Sequence, residues 1–245
     1  MKRTLIIMST LVVSTAACGG TVSTVDSTTT TDAPETTTTT TQATTTTSGT
    51  TTSLPGEPID IGPRAGDILA VIGVAHDDVL NVRVAPGTDQ SIVAELGPLA
   101  EDVVALGRAR SLPQSIWFEV EVDGVTGWAG SSFLGYLGQT TDETAAIVDL
   151  LGETPKAETM IDLGMIVAET LASDEPASRV VVSVEPSVGD LGEVTYDVVG
   201  IGDDAVRGFR LHVFATPDEG GEGFVLKSVE QTLLCGRGLS GGLCV

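Results

Sequence analysis

The chain has 245 residues and a formal net charge of −22, set by 34 acidic against 12 basic side chains. That excess repels phosphate backbones and argues against nucleic acid as a partner. It also repels anionic lipid headgroups, so any membrane attachment has to be covalent. A threonine-dominated stretch from residue 19 to 57 carries no spaced apolar pattern that could bury a core. About 185 residues remain, enough for two domains of roughly 100 residues each.

In chain order, Lys2 and Arg3 open a basic region, Leu5 to Val13 is a short apolar run, and Ser14-Thr15-Ala16-Ala17 places small residues before Cys18. This reads as a secretory signal over residues 1–17, too short to span a bilayer. The cysteine after small residues, followed by Gly19-Gly20, resembles the lipobox of bacterial lipoproteins. Thr15 stands where that pattern usually has leucine. The resemblance implies lipidation at Cys18 and a place on the extracellular face of the cell membrane. Residues 18–57 then form the anchor and a disordered Thr-rich tether, locally stiffened by Pro34 and Pro55. A flexible segment of about 40 residues reaches roughly 35 Å, enough to lift a domain into a surrounding wall. The threonines could also carry O-linked sugars.

Residues 58–138 alternate short apolar runs with turn signals, as in a small all-β barrel. Strands are predicted at Ile68–Val74, Val79–Val84, Ile92–Leu96, Val103–Gly107, Trp117–Val122 and Thr126–Ala129. Asp123-Gly124 is a hairpin turn between the last two. Leu80, Val82 and Val84 fall on one strand face, the core side. Asn81 and Arg83 fall on the other, where Arg83 can reach loop carbonyls. Gly127 lets the chain bend tightly beside Trp128.

The series Leu80-Asn81-Val82-Arg83, Pro86-Gly87-Thr88 and Ile92 to Leu96 resembles the opening signature of bacterial SH3 (SH3b) domains. Trp117, Val120, Val122, Gly124, Gly127-Trp128 and Phe133-Leu134 are similar to its ending. The resemblance implies an SH3-like small barrel that binds cell-wall peptides or serves as an attachment module. Asp89-Gln90 replace the aromatic that often follows the turn, and Pro98 to Asp102 replace its basic loop. An inserted Arg108–Ser115 loop precedes Trp117. The expected groove is therefore less aromatic and more acidic. Trp117 and Trp128 are the candidate ligand-binding residues, unless both fill the core.

Residues 139–245 read as an α+β domain, helices followed by an antiparallel sheet. Helices are predicted at Asp142–Leu151 and Lys156–Ala172, the second with Pro155 near its first turn. Strands are predicted at Arg179–Glu185, Glu193–Val199, Val206–Ala215 and Phe224–Leu234. After export, Cys235 and Cys244 are the thiols left once Cys18 carries lipid, and they should form a disulfide. That bridge is expected to stabilise the second domain without touching the first.

Other constellations are weaker. Two cysteines and a distant His212 do not supply a four-ligand zinc site. Ser240 sits in a Gly-rich run without the preceding aspartate of a protease motif, and neither His76 nor His212 has a matching context. The acidic turns at Asp77-Asp78, Asp203-Asp204 and Asp218-Glu219 lack the spacing of a calcium loop. No phosphate or dinucleotide fingerprint is present, so no cofactor is expected. The resulting expectation is a non-catalytic envelope lipoprotein that engages cell-wall peptidoglycan or an envelope protein. The alternative is a wall hydrolase with a catalytic C-terminal domain.

Overall fold

The structure, a computed structural model, describes residues 53–245. The expected signal, Cys18 and most of the tether lie outside the described residues. In chain order the first strands are β1 (Glu57–Ile59), β2 (Ile68–Val71), β3 (Leu80–Arg83), β4 (Ile92–Leu96), β5 (Val103–Leu112), β6 (Ser115–Val122) and β7 (Val125–Gly130). A 3-10 turn, Ser131–Phe133, leads into β8 (Leu134–Asp142). Then come α1 (Thr144–Leu151), β9 (Lys156–Ala157) and α2 (Met160–Leu171). The chain closes with β10 (Arg179–Val188), β11 (Gly192–Val199), β12 (Val206–Pro217), β13 (Phe224–Cys235), β14 (Leu239–Ser240) and β15 (Leu243–Cys244).

All the strand pairs are antiparallel, and the main path runs β10-β11-β12-β13-β8-β2-β5-β6-β7-β3-β4. Among the described residues the architecture is mostly antiparallel sheet with two α-helices. Strand β8 is the hinge point of this path. Its start pairs with β2 (Gly135 with Ala70, Leu134 with Val71), and its end pairs with β13 (Thr140 with Thr232, Asp142 with Glu230). The expected boundary at residues 138/139 thus falls inside one continuous strand. The described residues belong to a single compact unit, yet they bury two main apolar cores. One gathers Leu69, Val71, Val82, Val103, Val120 and Ala129. The other gathers Leu163 and Val167 of α2 with Val194, Tyr196, Leu211 and Val229 of the sheet.

Local chemistry explains most elements. Asp123 and Gly124 both adopt positive φ (50° and 78°), as a two-residue hairpin turn requires, and Val122 pairs with Val125 across it. Helix α2 starts at a cap. Thr159 Oγ1 accepts from the Asp162 N–H at 3.1 Å and donates to Asp162 Oδ2 at 2.7 Å. This start is four residues later than predicted, because Lys156 and Ala157 instead pair with Val225 and Phe224. Pro155 therefore precedes a short strand rather than a helix. Gly164 sits against the Tyr196 ring, where a Cβ would overlap it, and the Tyr196 hydroxyl donates to the Ile161 carbonyl at 2.8 Å. The close approach needs glycine and seats α2 on the sheet.

Strand β11 is buried along nearly its whole length because both of its faces are covered. Val194, Tyr196 and Val198 meet α2 and its core. The opposite face carries Asp197 and Val199, and Val199 packs with Ile72 and Leu234. The segment Arg108–Leu112, expected as a loop, instead extends β5 and pairs with β6 from Ala109–Phe118 to Leu112–Ser115. Its ladder breaks between Ala105 and Ala109, around Gly107 at φ 75°, so one glycine turns the strand without ending it.

A candidate binding groove

The two tryptophans are placed by register. Phe118 pairs with Ala129, and both belong to the first core. Alternation then puts Trp117, Glu119 and Trp128 on the opposite face of the sheet, with Trp128 directly across from Glu119. Trp117 is 5% exposed and Trp128 is 2% exposed. Trp128 is covered by Arg108, whose guanidinium lies 5.4 Å from the ring centroid and 3.2 Å from Glu119 Oε1. The Trp117 indole N–H donates to Ser115 Oγ at 2.9 Å. Neither ring is an open stacking platform, and neither belongs to the core on the far side of the sheet.

Trp117 nevertheless forms part of the wall of a groove of about 610 Å³. It is lined by Leu80, Asn81 and Arg83 of β3, by Thr88, by Leu112, Gln114 and Ser115 at the β5–β6 turn, and by Ser131 to Phe133. Leu80, Asn81, Arg83, Thr88, Trp117 and Phe133 belong to the motif on which the sequence resemblance rests, and Leu112, Gln114 and Ser115 come from the inserted segment. Trp128 does not line the groove. Arg83 Nη1 donates to the Gln90 carbonyl at 2.6 Å, which fixes the turn bearing Thr88 and meets the expectation for that side chain. Within this lining, Asn81 Oδ1 is shut off from water and has no hydrogen-bond partner. An orphaned acceptor of this kind costs about 1–3 kcal/mol. Gln114, Ser115, Ser131 and Ser132 add polar groups along the rim. Sequence reading passed over these residues because none sits in a patterned run. The Asp78 and Ser131-Ser132 turns beside motif strands were the available signal.

The other candidate residues stand apart from the groove. His76 Nδ1 lies 3.4 Å from Glu185 Oε1, and His212 Nε2 lies 3.6 Å from Glu193 Oε2. Ser240 lies in the β14–β15 hairpin, paired with Leu243. Among the described residues, no three His, Cys, Asp or Glu side chains cluster as metal ligands. The sulfurs of Cys235 and Cys244 are within bonding distance, with Cα atoms 5.1 Å apart. Cys235 packs in the first core beside Leu69 and Tyr136, and Cys244 packs against the same cluster. The bridge therefore touches the first half of the molecule, contrary to the expectation that only the second would feel it. The reason is that β13 lies between β12 and β8, so Cys235 pairs with Val206 on one side and with Tyr136 on the other.

Charge and burial tune the surroundings. Desolvation, with a hydrogen bond donated to Asp67 Oδ2 at 2.7 Å, pushes the Tyr136 phenol far above its ordinary range. Desolvation likewise pushes Tyr196 up to about 12. Asp203 is held below the usual carboxylate range by the N–H groups of Val206 and Ala205. Compared with family models, with curated proteins and with solved structures, the chain finds no match.

Proposed function

We propose that this protein is a non-catalytic cell-envelope lipoprotein, anchored through Cys18 and carried on its Thr-rich tether. Its SH3b-like barrel, residues 58–138, engages cell-wall peptide. The observation that carries this reading is the groove itself. An open channel of about 610 Å³ lies on Leu80, Asn81, Arg83, Thr88 and Trp117, the residues of the SH3b-like signature. Its volume falls in the range of ligand sites, and Arg83, Thr88, Gln114 and Ser115 place polar groups beside its apolar lining. The junction with the tether supports the same arrangement. Arg110 Nη1 donates to the carbonyls of Leu54 and Gly56 at 3.1 and 2.7 Å, and β1 then pairs with β5. The end of the tether is thereby fixed on the half of the molecule that bears the groove.

The experiment is co-sedimentation of the purified, lipid-free chain (Cys18→Ser) with isolated peptidoglycan. Retention at moderate salt is expected, with loss on introducing bulk at the rim by Ser132→Trp. No retention at low or moderate salt overturns wall binding. Crosslinking in the native envelope to one protein, without retention by peptidoglycan, moves the assignment to a protein partner.

A further inference from the structure

Four of the ten arginines and lysines among the described residues have carboxylate partners. Arg210 holds Asp197, Arg237 holds Asp204, Arg108 holds Glu119 and Lys156 holds Asp218. Arg179 and Arg207 do not: among the described residues, neither has a carboxylate within ion-pair reach. Both line a single cleft of about 330 Å³, together with Ile72, Ser132, Ala177, Val199, Gly200 and Asp203. The sheet delivers them there. Arg179 opens β10 opposite Val199, Val199 stands opposite Gly208, and the Gly200 N–H donates to the Arg207 carbonyl at 2.7 Å.

We propose that this cleft binds the C-terminal carboxylate of a peptide lying in the groove, between the guanidinium groups of Arg179 and Arg207. The proposal rests on the wall-peptide reading above and gives the bound peptide a direction.

Arg207 is half-buried, and its Nη1 donates to the carbonyls of Ser131 and Leu134 at 2.7 and 2.6 Å. These acceptors are neutral, so they orient the cation without compensating it. Burial also lowers its pKa, as expected of a desolvated charge that lacks a counter-ion. Its Nε and Nη2 groups have no acceptor among the described residues. Arg179 is exposed, and its guanidinium lies 5.2 Å from the Phe133 ring centroid. Two planar forks of this kind match a carboxylate in geometry and charge. Asp203 is the one acidic residue on the cleft. Its Oδ1 already accepts from the Ala205 and Val206 N–H groups at 2.8 and 2.7 Å.

Continuity with the groove sets the direction. Ser132 lines both the groove and the arginine cleft. Phe133 lines the groove and a neighbouring hollow of about 220 Å³ that also includes Arg179. A chain running along the groove would therefore cross the Ser132–Phe133 ridge and end at the arginines. Ile72, Ala177 and Val199 leave apolar walls suited to a short side chain such as alanine's. The chain's overall negative charge disfavours anions at long range, so selectivity has to come from these two contacts.

The test compares N-acetyl-alanyl-alanine with a free C-terminus and its C-terminal amide, each in the D,D and L,L forms, by calorimetry on the Cys18→Ser chain. The free acid is expected to bind at least about tenfold more tightly than the amide. Arg179→Gln should remove that preference, and circular dichroism checks that the variant keeps the fold. Arg207→Lys, which keeps the charge, should retain part of the preference. Equal binding of acid and amide, or an unchanged preference in Arg179→Gln, overturns the proposal. Retention on peptidoglycan with no acid preference removes the carboxylate site and leaves wall binding standing. An Arg179-dependent acid preference without retention keeps the carboxylate site and removes wall binding.

Discussion

Asp197 and Arg210 face each other across β11 and β12 as a buried, bidentate ion pair. Arg210 Nε and Nη2 donate to Asp197 Oδ1 and Oδ2 at 2.8 and 2.9 Å, and Asp197 is 0% exposed. Each partner also reaches into the other half of the molecule. Asp197 Oδ2 accepts from the Gly73 N–H at 2.7 Å, and Arg210 Nη2 donates to the Val71 carbonyl at 2.9 Å. Removing one charge strands the other away from water. Arg210→Met is expected to cost about 3–5 kcal/mol. Replacing both, Asp197→Leu with Arg210→Met, should cost less than the single change, because no charge is left unpaired. Chemical denaturation of the parent chain and both variants measures this. A double variant less stable than Arg210→Met would show that the bonds to Gly73 and Val71 outweigh the pair.

Few of these contacts could be read from the sequence. The strands of both halves were visible because apolar alternation and turn residues mark them, as at Ile92–Leu96 and Asp123-Gly124. An aspartate inside the apolar run Val194–Val199 was a signal of a buried partner, but alternation alone cannot say what covers the second face of a strand. The Thr159-x-x-Asp162 cap was also legible, and it would have placed the start of α2 correctly. Gly107 misled in the other direction, since glycine commonly ends a strand and here only bends one. The groove was legible as a set of motif residues. Its rim residues, Gln114 and Ser131-Ser132, belong to turns whose proximity only folding creates.

Titration of the two tyrosines offers a pH test, since the chain has no others. Both phenols are raised, Tyr196 to about 12 and Tyr136 further. A raised pKa means the folded state favours the neutral phenol. The stability it contributes is fully present below about 10, the unfolded value, and is lost as pH rises through the folded value. Near-ultraviolet absorbance should show both phenols still protonated at pH values where free tyrosine ionises. Stability should decline through that same window. Phenolate appearing with the ordinary midpoint in the folded protein would contradict the burial of both rings.

Cys235→Ser should lower stability by about 2.5–3 kcal/mol, the chain-entropy value for a loop of about ten residues. Because Cys235 packs with Leu69 and Tyr136, the loss should register in the first core as well as in the second. Hydrogen exchange of the β2 amides in the variant measures that spread. Unchanged protection there, with loss confined to the β14–β15 hairpin, would localise the bridge to the chain end. Mass spectrometry of the unreduced C-terminal peptide should show the bridge in protein recovered from cells, and free thiols at both positions would refute it.

Gly127→Ala is expected to destabilise by about 1–3 kcal/mol. A Cβ there would come within 2.6 Å of Val82 Cγ1, 2.8 Å of the Arg83 carbonyl oxygen and 2.9 Å of Val93 Cγ2. All three belong to strands packed against β7, so relief requires the sheet to part. Thermal melting compares it with Gly124→Ala, where a Cβ meets nothing but the backbone has φ 78°. The crowded site should lose more than the strained turn, and a smaller loss at Gly127 would show that β3 can shift.

Strand β8 gives its first residues to one half and its last residues to the other. A cut or a gene fusion at residue 138 would therefore leave each product with part of a ladder and a bare row of amides. The half of the molecule that bears the groove is spliced to its neighbour through a shared strand, a buried ion pair and a cystine. The two halves are therefore expected to unfold together, and a change in the groove strands is felt by the sheet next door.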